Sequence, residues 1–155
     1  MRECDFTAAA ERHLDTVYRV ALNCLRNPAD AEDAAQTVLL RLWQSGQAFP
    51  NDDQLRYWLV RVTVNVCKDV LRSPWRRRMV ALDHCREPAF AAPEHQALYA
   101  EVMALPAKYR LPLYLYYYEG YAVVEVGELL GLKPSTVQTR LARAREKLKA
   151  QLKEE

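Results

Sequence analysis

The sequence predicts an all-α protein of two small helical domains joined by a flexible linker. Three observations carry this. Only four glycines occur, at positions 46, 120, 127 and 131, and no stretch keeps the alternation of a half-buried strand. Apolar residues recur instead at three- and four-residue steps through most of the chain. Between residues 73 and 93 (SPWRRRMVALDHCREPAFAAP) three prolines fall and no helical period persists, so this segment reads as the linker. The domains are then residues 1–72 and 94–155, each small by domain standards.

The elements follow in order. A first helix is expected from about Phe6 to Leu25, with Leu14, Val17, Tyr18, Ala21, Leu22 and Leu25 on one face. Asn27-Pro28 breaks it. A second runs from about Asp30 to Gln44. Asp30, Glu32 and Asp33 crowd its first turn, where the helix dipole favours negative charge, and Gly46 and Pro50 end it. A third runs from about Asp53 to Arg72, with Leu55, Trp58, Leu59, Val62, Val66, Val70 and Leu71 as candidates for its inner face. Ser73-Pro74 stops it. A fourth covers about Glu94 to Leu105. A fifth starts at Pro106 and reaches about Glu119, kinked or shortened by Pro112.

The last quarter reads as a helix-turn-helix. Its first short helix carries Val124, Leu129 and Leu130. Gly131 sits where the turn needs positive φ, and Pro134 suits the first turn of the next helix. There Val137, Leu141, Ala144 and Leu148 make one apolar face. Ser135, Thr136, Gln138, Thr139, Arg140, Arg143 and Lys147 make the other, and these groups bond base edges and phosphates. The partner this implies is duplex DNA.

Charge alternates in blocks: −4 over residues 1–54, +6 over 55–86, −4 over 87–132 and +4 over 133–155. The two basic blocks fit two contacts with a polyanion, and the acidic ones fit surfaces for a protein partner. Solvated helix faces are the plain alternative. Cys4, Cys24, Cys67 and Cys85 show no C-x-x-C spacing and no His at ligand spacing, which argues against zinc and fits thiols in a reducing cytoplasm. Cys24 and Cys67 lie in apolar helical patterns and belong to the core. Residues 1–12 have no apolar run, so no signal peptide is expected. No stretch approaches the roughly 18–20 apolar residues of a membrane span. No phosphate loop and no nucleophile triad among His13, His84 and His95 point to an enzyme, and no cofactor or metal is expected.

Three segments resemble the extracytoplasmic-function (ECF) group of bacterial sigma factors, within the sigma-70 family. DAEDAAQTVLLRLW at 30–43 is similar to the family's core-polymerase-binding segment. YWLVRVTVNVCKDVLR at 57–72 is similar to its promoter-melting, −10-reading helix. Residues 104–148, ALPAKYRLPLYLYYYEGYAVVEVGELLGLKPSTVQTRLARAREKL, resemble its −35-reading domain. The likeness spans about Phe6 to Leu152, is weakest in the linker, and gains specificity from the three motifs in order. It implies a dissociable promoter-specificity subunit of RNA polymerase that is not itself an enzyme. It also implies core polymerase (β′ and β subunits), promoter DNA and an anti-sigma factor as partners, and a cytoplasmic location.

Residue by residue, the resemblance implies that Asp33, Gln36, Leu40 and Trp43 meet the β′ subunit, with Trp43 as anchor. The alternative is that Leu40 and Trp43 pack within their own domain. Asn51, Arg56, Tyr57, Arg61, Asn65, Lys68, Arg72, Arg76 and Arg77 become the −10 contacts. The loop QAFPNDDQ (47–54) beside Tyr57 could hold an unstacked base, with Asn51 reading its edge. Trp58 fits core better than stacking platform, and a solubilising tract is the lesser alternative for Arg76–Arg78. Of the tyrosines at 114, 116, 117, 118 and 121, spacing sends all but Tyr116 to one side. The family uses this region against the β flap, which asks for one or two exposed rings.

Departures from the family pattern are Gly127 where alanine is usual, Ser135 for glycine, Gln138 for lysine or arginine, Val123-Val124 for a more polar pair, and Pro112. Gln prefers adenine and Arg guanine, so the −35 sequence read here differs in expectation from the usual element. With no added C-terminal sensor domain, control is expected from outside. The rival readings are a stand-alone helix-turn-helix regulator, which leaves residues 28–72 without a task, and a protein-binding adaptor, which leaves the basic blocks without one.

Overall fold

The computed structural model describes residues 2–73 and 93–153, and every element among them is helical. The elements are α1 (Glu3–Leu25), α2 (Pro28–Ser45), α3 (Asp52–Arg72), α4 (Pro93–Ala104), α5 (Ala107–Tyr117), α6 (Val123–Leu130) and α7 (Pro134–Lys153). The chain divides into two compact units, Met1–Arg86 and Glu87–Glu155. Arg76–Arg78 and most of the segment read as a linker lie outside the described residues. No helix of the described residues is long and apolar enough to cross a membrane.

In the first unit α1, α2 and α3 pack mutually. The Asn27-Pro28 break works as a joint. Arg26 takes a left-handed conformation (φ 57°) to end α1. The Asn27 side chain then accepts a hydrogen bond from the Asp30 amide at 3.1 Å, and Pro28 opens α2. The helix therefore begins two residues earlier than its acidic turn suggests. Small residues let α2 approach closely: Ala31, Ala34 and Ala35 are buried beside Val38 and Leu42. From α1 come Val17, Val20, Ala21 and Leu22, and from α3 Leu55, Leu59, Val60 and Val64.

The inner faces are rotated from those expected. Leu14 and Leu71 are exposed, and Val62 and Val70 are half-buried. On α1 the face is instead 9, 13, 17, 20, 24, so His13 enters the interior. Cys24 and Cys67 are core thiols as expected. Thr63 spends its hydroxyl on the Leu59 carbonyl at 2.6 Å.

In the second unit α5 and α6 pack on α7, around Leu105, Tyr109, Leu113, Leu115, Val126, Leu129, Val137, Leu141 and Ala144. Helix α5 runs through Pro112 for five residues and ends at Tyr117, short of the expected Glu119. The proline removes the backbone bond to Lys108 without ending the helix. Arg110 is buried, and its guanidinium donates to the Leu105 carbonyl at 2.8 Å, satisfying an acceptor just beyond the end of α4. At the entry to α6, Glu125 accepts from the Ala122 amide at 3.0 Å.

The turn between α6 and α7 depends on two glycines. Gly131 ends α6 at φ 70°. Gly127 is helical, but a Cβ built on it would lie 2.6 Å from the Leu132 carbonyl oxygen. The Leu132 amide also donates to the Gly127 carbonyl at 2.8 Å. Backbone meets backbone, and no side chain fits between. Gly127→Ala would gain about 1 kcal/mol of helix propensity. The clash outweighs this, and we expect a net loss of about 1–2 kcal/mol. Urea unfolding of the full chain, with amide-exchange protection read at α6 and α7, checks this. A stabilised variant would mean the turn relaxes freely.

Candidate nucleic-acid interface

In the second unit the recognition helix α7 buries Val137, Leu141 and Ala144 and half-buries Leu148. Its outer face is polar. Ser135, Thr136, Thr139, Arg140 and Arg143 converge with Lys108 and Tyr109 of α5 on a concavity of about 340 Å³. Lys147 joins this flank, its ammonium 5.4 Å from the centre of the Tyr109 ring, with Lys108 at 5.0 Å. A hydrogen bond from Arg143 lowers the Tyr109 hydroxyl below its ordinary value, burial opposes this, and the charge on Lys108 assists it. Gln138 is exposed but is not among the lining residues. At 100° per residue it falls on the opposite flank of the outer face from Thr136 and Arg140.

Sequence reasoning does not single out Lys108 or Tyr109. One signal was available. A lysine in the first turn of a helix opposes the helix dipole, which asks for a use beyond helix stability.

Of the five tyrosines, Tyr114 and Tyr121 are buried, Tyr116 is half-buried, and Tyr117 and Tyr118 are exposed. Tyr118 does lie on the side of Tyr114, but at the end of α5 both it and Tyr117 are exposed. The Tyr114 hydroxyl donates to Glu119 at 2.7 Å, and Tyr118 stacks on Tyr114 at 5.4 Å. Arg145 donates to the Tyr117 hydroxyl from across the unit.

In the first unit α3 carries a second polar stripe. Arg61, Asn65 and Arg72 are exposed and Tyr57 and Lys68 half-buried. Steps of three and four residues keep all five within one sector of the helix. Arg56 does not join them, since five residues place it about 140° round the helix from Arg61. Trp58 is neither core nor free platform: it is half-buried with its ring 5.6 Å from Phe49.

The loop between α2 and α3 leaves through Gly46 (φ 61°) and ends at Asn51. Asn51 caps α3, its side-chain oxygen accepting from the Gln54 amide at 2.9 Å. With that oxygen engaged in the cap, the amide NH₂ is the group that can donate outward. Beside it lies a concavity of about 340 Å³, lined by Ala8, Ala9, Phe49 and Leu55 with Asp5, Arg12, Gln47, Asn51 and Asp52 among its polar groups. Apolar walls with a polar rim are what an unstacked base requires.

On α2, Asp33, Gln36, Leu40 and Trp43 are all exposed, Leu40 at 54% and Trp43 at 46%. Neither large residue packs into its own core. Trp43 rests one ring edge on Phe6 at 5.3 Å. An outward tryptophan and leucine beside a carboxylate and an amide form an apolar patch with a polar rim.

A three-helix unit with a basic stripe, followed by a helix-turn-helix unit, defines a two-module all-helical protein. Residues 9–77 match the family Sigma-70 region 2, and residues 95–148 match Sigma-70, region 4. The chain is 34% identical over 150 residues to the ECF RNA polymerase sigma factor SigE of Mycolicibacterium smegmatis, covering 89% of this chain and 58% of that protein. It is 30% identical over 156 residues to the ECF sigma factor SigL of Mycobacterium tuberculosis, covering 95% of this chain and 88% of SigL. Its fold resembles that of the sigma factor RpoE, solved with the anti-sigma factor NepR from Bartonella quintana. The TM-score is 0.76 at 20% identity, over 96% of this chain and 97% of that one. The chain belongs to the ECF sigma factors of the sigma-70 family.

The carboxyl of Asp52 lies below its ordinary value of 3.8, held there first by a hydrogen bond from His13 and then by charge on His13 and Arg12, with burial opposing. A depressed carboxylate stabilises the fold above its unfolded value, and that contribution is lost as pH falls through the folded one. Between about pH 5 and pH 2, Asp52→Asn should therefore lose less stability than the parent. Identical acid profiles in chemical unfolding would contradict this.

Proposed function

We propose that the protein is a promoter-specificity subunit of RNA polymerase that binds the core enzyme, reads the −35 and −10 elements and assists melting near the start site. The observation that carries this is the presence on one chain of two separate DNA-type polar faces and an outward apolar patch on α2. A stand-alone regulator would leave that patch unused. The protein itself catalyses no reaction, and its work lies where polymerase and DNA are, in the cytoplasm.

The tasks divide by element. Asp33, Gln36, Leu40 and Trp43 meet the β′ subunit, with Trp43 as the anchor. Exposed Tyr117 and Tyr118 are the rings offered to the β flap. On α7, Ser135, Thr136, Gln138 and Thr139 approach base edges in the major groove. Arg140, Arg143 and Lys147 hold phosphates, and Lys108 extends that clamp from α5. On α3, Asn65 faces the −10 bases of the single strand, with Arg61, Lys68 and Arg72 on its backbone. Arg76 and Arg77, outside the described residues, continue the basic run. The loop at 46–51 receives the unstacked base, with Asn51 at its edge. An anti-sigma factor would act by covering these faces, and the fold's likeness to a sigma factor solved with such a partner supports that control.

Two substitutions test the division. Asp33→Ala with Gln36→Ala should weaken binding to core polymerase about tenfold or more, with thermal unfolding unchanged. Undiminished core affinity would remove α2 from that interface. Arg140→Ala in the holoenzyme should weaken promoter binding and reduce the slope of log affinity against log salt by about one unit. An unchanged slope would take Arg140 off the phosphates.

A further inference from the structure

Among the described residues of the first unit, His13 is the one buried imidazole, and apolar packing gives no reason for it. Burying an imidazole costs free energy unless its nitrogens are satisfied. Here Nε2 lies 2.9 Å from Asp52 Oδ1, and the partner is half-exposed at the first position of α3. Arg12 brings Nε to 3.1 Å and a terminal nitrogen to 3.0 Å of the same oxygen. Three donors thus converge on one carboxylate oxygen. The Arg12–Asp52 pair is exposed, and such pairs add little stability. What the cluster sets is a position.

That position matters because Asp52 directly follows Asn51, the cap of α3 and the last residue of the loop. The other fixed point of the loop is Phe49, packed on Trp58. Between these points lies the concavity of about 340 Å³, whose opposite wall is Ala8, Ala9 and Arg12 of α1. The His13 tie therefore spans the two walls of the pocket.

We propose that His13 is a positioning residue for promoter opening: through Asp52, and with Arg12, it fixes the spacing between α1 and the 46–51 loop at which one unstacked base is held. The proposal rests on the base-capture role given to that loop. His13 touches no DNA; it acts through Asp52 on Asn51. Its effect falls on base discrimination and open-complex yield, and core binding and −35 recognition are left alone.

The test uses holoenzyme assembled with the full chain and promoters carrying each base in turn at the −10 positions. Open complexes are read by permanganate reactivity of unpaired thymines. His13→Leu removes the donor and keeps an apolar side chain. His13→Gln places an amide N–H near the position of Nε2. With His13→Leu, discrimination among bases at the captured position should fall by at least about tenfold. Core affinity should stay within about twofold. His13→Gln should restore most of the discrimination. Asp52→Ala, which breaks the tie from its solvent side, should reproduce the leucine variant, so the prediction stands even if His13→Leu unfolds. Parental discrimination in either tie-breaking variant would overturn the proposal, as would failure of His13→Gln to restore it. If neither Asn51→Ala nor Phe49→Ala changes discrimination, the base-capture role itself is wrong, and the proposal goes with it.

Discussion

Helices α2, α3 and α7 each bury a single stripe, because each small unit has little chain with which to cover a second one. That constraint shapes the rest. In the first unit, α2 turns Ala31, Ala34, Ala35, Val38 and Leu42 inward. Its opposite face, with Leu40 and Trp43, stays exposed and meets the fold at the Phe6 ring edge. Helix α3 divides likewise, with Leu59, Val60 and Val64 inside and Arg61, Asn65 and Arg72 outside. A thin core leaves α2 and α3 each a second face. Under the proposed function, those second faces are the surfaces that meet polymerase and DNA.

The second unit adds a backbone constraint. A recognition helix is useful only at a fixed angle to its support. Here that angle is set where the Leu132 carbonyl meets Gly127 with no room for a Cβ. Gly131 completes the turn in a left-handed conformation. The buried Arg110, holding the Leu105 carbonyl, fixes the start of α5 and with it Lys108 and Tyr109 beside α7. Under the proposed function, substitutions at the turn and at Arg110 would act on DNA binding through geometry rather than through contact.

Much of this was legible in the sequence because helices announce themselves locally. The Asn27-Pro28 joint, the Gly131 turn, the Pro134 start and the apolar stripe of α7 each follow from a few neighbouring residues. The outward face of α2 was legible as chemistry, since a carboxylate and an amide on one face resist burial. Other features depended on contacts distant in sequence. Nothing local in the sequence marks His13 as interior until Asp52, 39 positions on, is placed beside it. Phe49 on Trp58 and Lys108 beside Arg143 are of the same kind. The rotation of α1 that exposes Leu14 was hidden because leucine fits either side of a stripe edge. Arg56 was grouped with the other −10 contacts through the resemblance, and its helical angle separates it from their stripe.

The central claim is that this chain turns core polymerase into a promoter-specific enzyme. Its most direct test is to bind the purified chain to core RNA polymerase and carry out run-off transcription from a randomised promoter pool. The account predicts a stable complex and transcripts selected for two unlike elements at fixed spacing. Binding to DNA with no affinity for core, or selection of a palindromic site, would contradict it.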